Sequence, residues 1–130
     1  MENNMALELS DLRQFTGSEH NTRHGMNRKM IYTEGVKYVA EEGHAFWLID
    51  DIAIANMFDA SLKAEGFQVW TLKKGTKDSA ILSADDGNGN VLYVKSIEWT
   101  DFPLDEIKFY MVDAPDFGEN ATMLMLPSEY

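Results

Sequence analysis

The clearest pattern in the chain runs from Phe67 to Trp99, FQVWTLKKGTKDSAILSADDGNGNVLYVKSIEW. Apolar and polar positions alternate there with the period of a strand, in three runs separated by two turn signals. Val69, Thr71 and Lys73 share one face of the first run, and Trp70 and Leu72 share the other. Ala80, Leu82 and Ala84 alternate with Ile81 and Ser83, and Val91, Tyr93, Ile97 and Trp99 alternate with Leu92 and Val94. Gly75-Thr76-Lys77-Asp78 closes the first hairpin and Asp86-Gly87-Asn88-Gly89-Asn90 the second, because Gly and Asn reach positive φ at little cost. Ile107, Phe109 and Met111 predict a fourth strand after Pro103, and Ala121 to Leu126 a last one before Pro127.

Upstream the period changes to that of helices. Met5, Leu9, Leu12 and Phe15 predict a short amphipathic helix over 5–15. Glu19 to Gly25 has no period and reads as a loop; Arg28 to Thr33 is a short strand candidate. Thr33 is placed to cap a helix over EGVKYVAEE, with Gly43 as its stop. Ala45 to Phe58 is apolar around most of its circumference, which predicts the central helix of the fold, with Asp50 and Asp51 in need of water or partners. Helices first and strands second give an α+β expectation. N-terminal helices would pack on one face of a four- to five-stranded antiparallel meander, in a single domain spanning 1–130.

Composition narrows the class. A chain of 130 residues, 45% hydrophobic and 12% aromatic, can build a genuine core. No apolar run approaches the ~20 residues of a membrane span, and the acidic N-terminus lacks a signal pattern. The absence of cysteine excludes disulfides and thiolate metal sites. The cytosol is the expected compartment. Eleven Lys and Arg against 22 Asp and Glu leave a net charge of −11. Such a surface repels nucleic acid and anionic membrane and attracts basic partners, although plain solubility would also account for it.

Three groups of side chains could carry chemistry. Asp86 to Asn90 resembles the start of a calcium loop, but Val91 stands at its sixth position and Ile97 at its twelfth. His20 and His24 are four apart in a segment poor in helix formers, without a third ligand at motif spacing. Asp50-Asp51 and Asp85-Asp86 are paired carboxylates, but adjacent helical residues point about 100° apart, so neither pair makes a catalytic dyad alone. No phosphate loop, nucleophile elbow or zinc pattern is present. No cofactor is expected.

Several stretches resemble an uncharacterised family of small bacterial proteins often carried on plasmids, prophages and integrative elements. They are LRQFTGSE with Arg23-His24, YTEGVKYVAEEGHAFWLIDDIA, FQVW, DDGNGNV, IEWTDFPLDEI and the C-terminal LPSEY. The chain departs from the family at Asn21-Thr22, where bulkier, aromatic residues are usual. The resemblance implies no activity, cofactor or catalytic residue. It does imply a mobile-element setting, where small acidic proteins often block host defence.

The leading expectation is therefore a non-enzymatic, acidic protein-binding module. It would inhibit nucleic-acid-handling host machinery, in the manner of an anti-CRISPR or anti-restriction protein. Its contacts are expected at Asp50, Asp51, Asp85, Asp86, Glu98 and Asp101, with a basic protein or a nucleic-acid-binding complex as partner. Trp47, Trp70 and Trp99 are expected in the core, and any exposed one would be an interface anchor. The alternative is a small metal-dependent hydrolase or nuclease using Glu19, His24 and Asp85 or Asp86. A third is a subunit that pairs through an open sheet edge.

Overall fold

A computed structural model describes Leu7, Glu8, Leu12, Gln14, Phe15 and residues 20–130. The helix expected over 5–15 lies largely outside the described residues, although Leu7 and Leu12 are buried in the core and Phe15 packs on Tyr38. Two short strands come first, β1 (Asn21–Arg23) and β2 (Met30–Thr33). Three helices follow, α1 (Glu34–Glu42), α2 (Phe46–Phe58) and α3 (Ala60–Lys63). The strands β3 (Phe67–Lys74), β4 (Ala80–Asp85), β5 (Val91–Ile97), β6 (Glu106–Asp113) and β7 (Thr122–Met125) complete the chain.

All seven strands join one sheet in the order β1-β2-β7-β6-β3-β4-β5. The expected four- to five-stranded antiparallel meander is thus overturned. Among the described residues only β3-β4-β5 is a meander, β7 lies parallel to β2, and the α-helices sit between β2 and β3. The sequence period identified strands but only the hairpin turns identified neighbours. β6 pairs with β3 instead of β5 because the 98–105 link is tied beneath the first hairpin. The Thr100 N–H donates to the Asp78 carbonyl (2.7 Å), the Lys74 N–H donates to the Asp105 carbonyl (2.8 Å), and Phe102 is fully buried.

The turns also differ in detail. In the β3–β4 turn the left-handed residues are Lys77 and Asp78, whereas Gly87 and Gly89 supply positive φ in the β4–β5 turn as expected. Gly43 ends α1 at φ −94°, and the following His44 takes the left-handed conformation. Gly43 instead allows close approach, since a Cβ there would meet the Phe102 ring at 2.8 Å.

The core lies between the helices and one face of the sheet. Trp70, Leu72, Leu82, Phe109, Met111 and Leu124 point into it from the strands, and Val36, Val39, Leu48, Ile49 and Ile52 from the helices. Trp70 is buried as expected, Trp47 is half-buried, and Trp99 is corrected to the surface at 66% exposure. The sheet is not flat. Seven strands side by side would put the outer two about 29 Å apart. Yet the neighbouring Asp50 and Asp51 of α2 bond to His24, just after β1, and to Lys95 on β5. Two side chains about 100° apart on one helix cannot bridge that span, so the sheet curls around α2.

Candidate functional site

α2 lies in the trough of this curl with its long axis open to solvent on one side. Leu48, Ile49, Ile52, Ala53 and Ala55 face the sheet. The opposite side carries Phe46, Asp50, Ile54 and Phe58 at four-residue steps, and the three apolar ones are exposed, Phe58 at 77%. Met26 from the β1–β2 loop is exposed as well. The apolar character that predicted the central helix of the fold is therefore split. One half packs in the core and the other forms a surface. Exposed apolar side chains repeated along one side of a helix mark interaction sites more often than isolated ones do.

The two carboxylates on this helix are fixed by the lips of the trough. The His24 ring accepts at Nδ1 from the backbone N–H of Met26 (3.1 Å) and Asn27 (3.0 Å). That leaves its proton on Nε2, which donates to Asp50 Oδ1 at 2.7 Å. Asn27, also buried, donates to the Ala53 carbonyl (2.9 Å) and so holds the loop against α2. On the other lip Lys95 Nζ donates to Asp51 Oδ1 at 3.1 Å. Tyr32, buried nearby, has its phenol pushed above the usual tyrosine range by burial first and then by the charges of Asp50 and Glu41.

Asp85 and Asp86 lie elsewhere, at the β4–β5 turn, and they are engaged in building it. Asp85 Oδ1 accepts the Gly87 N–H (2.7 Å), while Asp86 Oδ1 accepts the N–H groups of Asn88 (2.8 Å) and Asn90 (3.2 Å). The Asn90 side-chain amide bonds Asp86 Oδ2 at 2.8 Å. That bond first, and the Asn88 N–H next, hold the Asp86 carboxyl below the usual aspartate range. Glu98 and Asp101 are exposed just past the other end of β5. The six expected contact residues therefore do not form one patch. Two sit on α2 and four bracket β5.

The alternative metal trio is not brought together by His24 and Asp86. His24 is spent on Asp50 and two backbone amides, and Asp86 on its own turn. Glu19 lies outside the described residues. Among the described residues no group of three or more His, Asp or Glu side chains is placed to hold a metal ion.

Sequence reasoning missed two polar clusters. Gln68 is buried on the Trp70 face of β3, where it accepts from Trp70 Nε1 (2.7 Å) and donates to Asn56 Oδ1 and the Leu62 carbonyl (both 2.9 Å). Period two already put Gln68 on the inward face, which was the available signal. Glu129, in LPSEY, accepts from Thr33 Oγ1 (2.6 Å), the Leu126 N–H (2.9 Å) and the Gly35 N–H (3.2 Å). Its carboxylate thus sits at the N-terminus of α1, where the helix dipole favours an anion. Beside Gln68 a cleft of about 670 Å³ opens between α3 and the ends of β6 and β7. Arg28, Lys29 and Lys63 line it, opposed by Glu65 and Asp113.

Fold and site together define an α+β protein whose curled mixed sheet cradles a helix with an exposed apolar and acidic face. The chain belongs to a family of unknown function, DUF6876, whose model matches residues 6–130. No curated protein and no solved structure matches it. Among the described residues no helix is long and apolar enough to cross a membrane.

Proposed function

We propose that this chain is a non-enzymatic protein-binding module that docks a basic partner on the outer face of α2. The observation that carries the reading is the set of exposed side chains Phe46, Ile54 and Phe58, flanked by Asp50 and Asp51. Large apolar groups at the centre supply affinity by leaving water, and surrounding carboxylates select and steer a cationic surface. The net charge of −11 extends that steering over the whole molecule. A protein built to hold nucleic acid presents such a cationic surface. The partner class we propose is therefore host nucleic-acid-handling machinery of the restriction or CRISPR kind, inhibited by occupation of its basic groove. The resemblance of the sequence stretches to plasmid- and prophage-borne proteins supports this finer reading.

Affinity capture from bacterial lysate tests it, with nucleic acid digested and salt at about 0.15 M, where surface charge is screened beyond about 8 Å. The native chain should recover a basic nucleic-acid-binding protein, and Phe58→Asp should recover at least tenfold less of it. Recovery of no such protein by the native chain, or equal recovery by the variant, contradicts the reading.

A further inference from the structure

β5 is the last strand of the sheet, and among the described residues nothing pairs with its outer side. Every second residue of an antiparallel edge strand turns its N–H and C=O outward, ready for another chain. Proteins usually blunt such an edge with a short strand, a proline, a bulge or charged side chains along it. Here the strand is seven residues long and has no proline, and its one register shift, against Ala84/Asp85, lies at its start and leaves Tyr93–Ile97 regularly paired. Its one lysine, Lys95, is drawn towards α2 by Asp51. The opposite edge, β1, is only three residues long.

The surroundings of β5 say what would fit. Val94 is 59% exposed and faces away from the helices beside Ile81, which is also exposed. Val91 at one end and Trp99 just past the other are exposed too. Asp85 and Asp86 stand at the start of the strand, Glu98 and Asp101 beyond its end, about 20 Å apart by strand rise. Because the sheet curls around α2, the next strand position lies towards the exposed side of that helix.

We propose that β5 accepts an extended segment of the basic partner as an eighth strand, with apolar residues at alternate positions and Lys or Arg towards both ends. This rests on the protein-binding reading and adds its mode of attachment, main-chain pairing along a sheet edge. A second copy of the chain is the weaker occupant, because it would bring −11 against −11.

The probe is a synthetic octapeptide with Val at alternate inner positions, Thr between them and Lys at both ends, titrated into the full chain and followed by backbone amide shifts. The expected result is saturable binding that moves the amides of Val91–Ile97 and leaves those of Asn21–Arg23 in place. N-methylation of the peptide at alternate residues keeps its charge but removes its donors, and should weaken binding at least tenfold. Val94→Lys, an exposed position, should weaken it similarly with unfolding unchanged. No saturable binding, equal binding of the N-methylated peptide, or sedimentation showing two copies paired through β5 overturns the proposal. If Val94→Lys keeps the captured protein while Phe58→Asp loses it, strand addition fails and the protein-binding reading stands. If the native chain captures nothing, that reading fails first.

Discussion

Glu129 ties the C-terminus to the start of α1 through three hydrogen bonds to one carboxylate. Gly35 is what lets it approach, since a Cβ at that position would lie 2.6 Å from Glu129 Oε1. Hydrogen bonds to a charged group contribute about 1.5–3 kcal/mol, so Glu129→Ala should lower stability by about 2 kcal/mol in denaturant unfolding. A loss under about 0.5 kcal/mol would show that the contact is ornamental. Two titrations belong at the same scale. The folded Asp86 carboxyl titrates below its ordinary value of 3.8, so its contribution to the β4–β5 turn is complete above about pH 4 and is lost as pH falls through the lowered value. The amide shifts of Asn88 and Asn90, whose N–H groups Asp86 accepts, should accordingly hold constant down to that range; a midpoint at or above the ordinary value contradicts it. Tyr32 has the opposite sign. Its folded value lies above the ordinary 10.0, so the stability it contributes is complete below about pH 10 and is lost as pH rises through the folded value. None of these three roles was assigned from the sequence. The pattern of Asp86 to Asn90 marks a turn, but the bonds of Glu129 and the burial of Tyr32 near the charge of Asp50 depend on segments apart in the chain, and no local pattern encodes them.

α2 shows at the scale of an element what local pattern does and does not carry. Its limits were legible, because an apolar run between Gly43 and the polar Asp59 to Gly66 stretch leaves few alternatives. Its surroundings were not. Hydropathy alone reads Phe46, Ile54 and Phe58 as buried, and only the placement of the sheet shows that the trough covers one side. The contrast is measurable. Ile52→Ala removes a fully buried side chain and should cost about 2–5 kcal/mol, while Ile54→Ala, two residues on and 38% exposed, should cost about 1 kcal/mol. Equal costs would mean that the outer side of α2 is covered in solution. The β3-β4-β5 hairpins were legible for a different reason, since a turn joins strands that must then be neighbours. The short polar β1 and the parallel β2–β7 pair had no such signal, because strands that pair across most of the chain leave no mark between them.

On the scale of the whole molecule, the curl of the sheet converts one helix, apolar around most of its circumference, into a framed surface. The β1–β2 loop closes one side through His24 and Asn27, and β5 closes the other through Lys95. The charge of −11 acts over the entire exterior and makes association with a basic partner sensitive to salt. The on-rate should fall by about an order of magnitude or more between low and high ionic strength, while dissociation, set by the apolar contacts, should change less. The most direct test of the central claim is hydroxyl-radical footprinting of the chain alone and in complex with the basic protein it captures. Protection of Phe46, Phe58 and Met26 is the predicted result. Unchanged oxidation at those three, with protection moved to the Phe67, Tyr110 and Tyr130 ring cluster on the opposite face of the sheet, would contradict it.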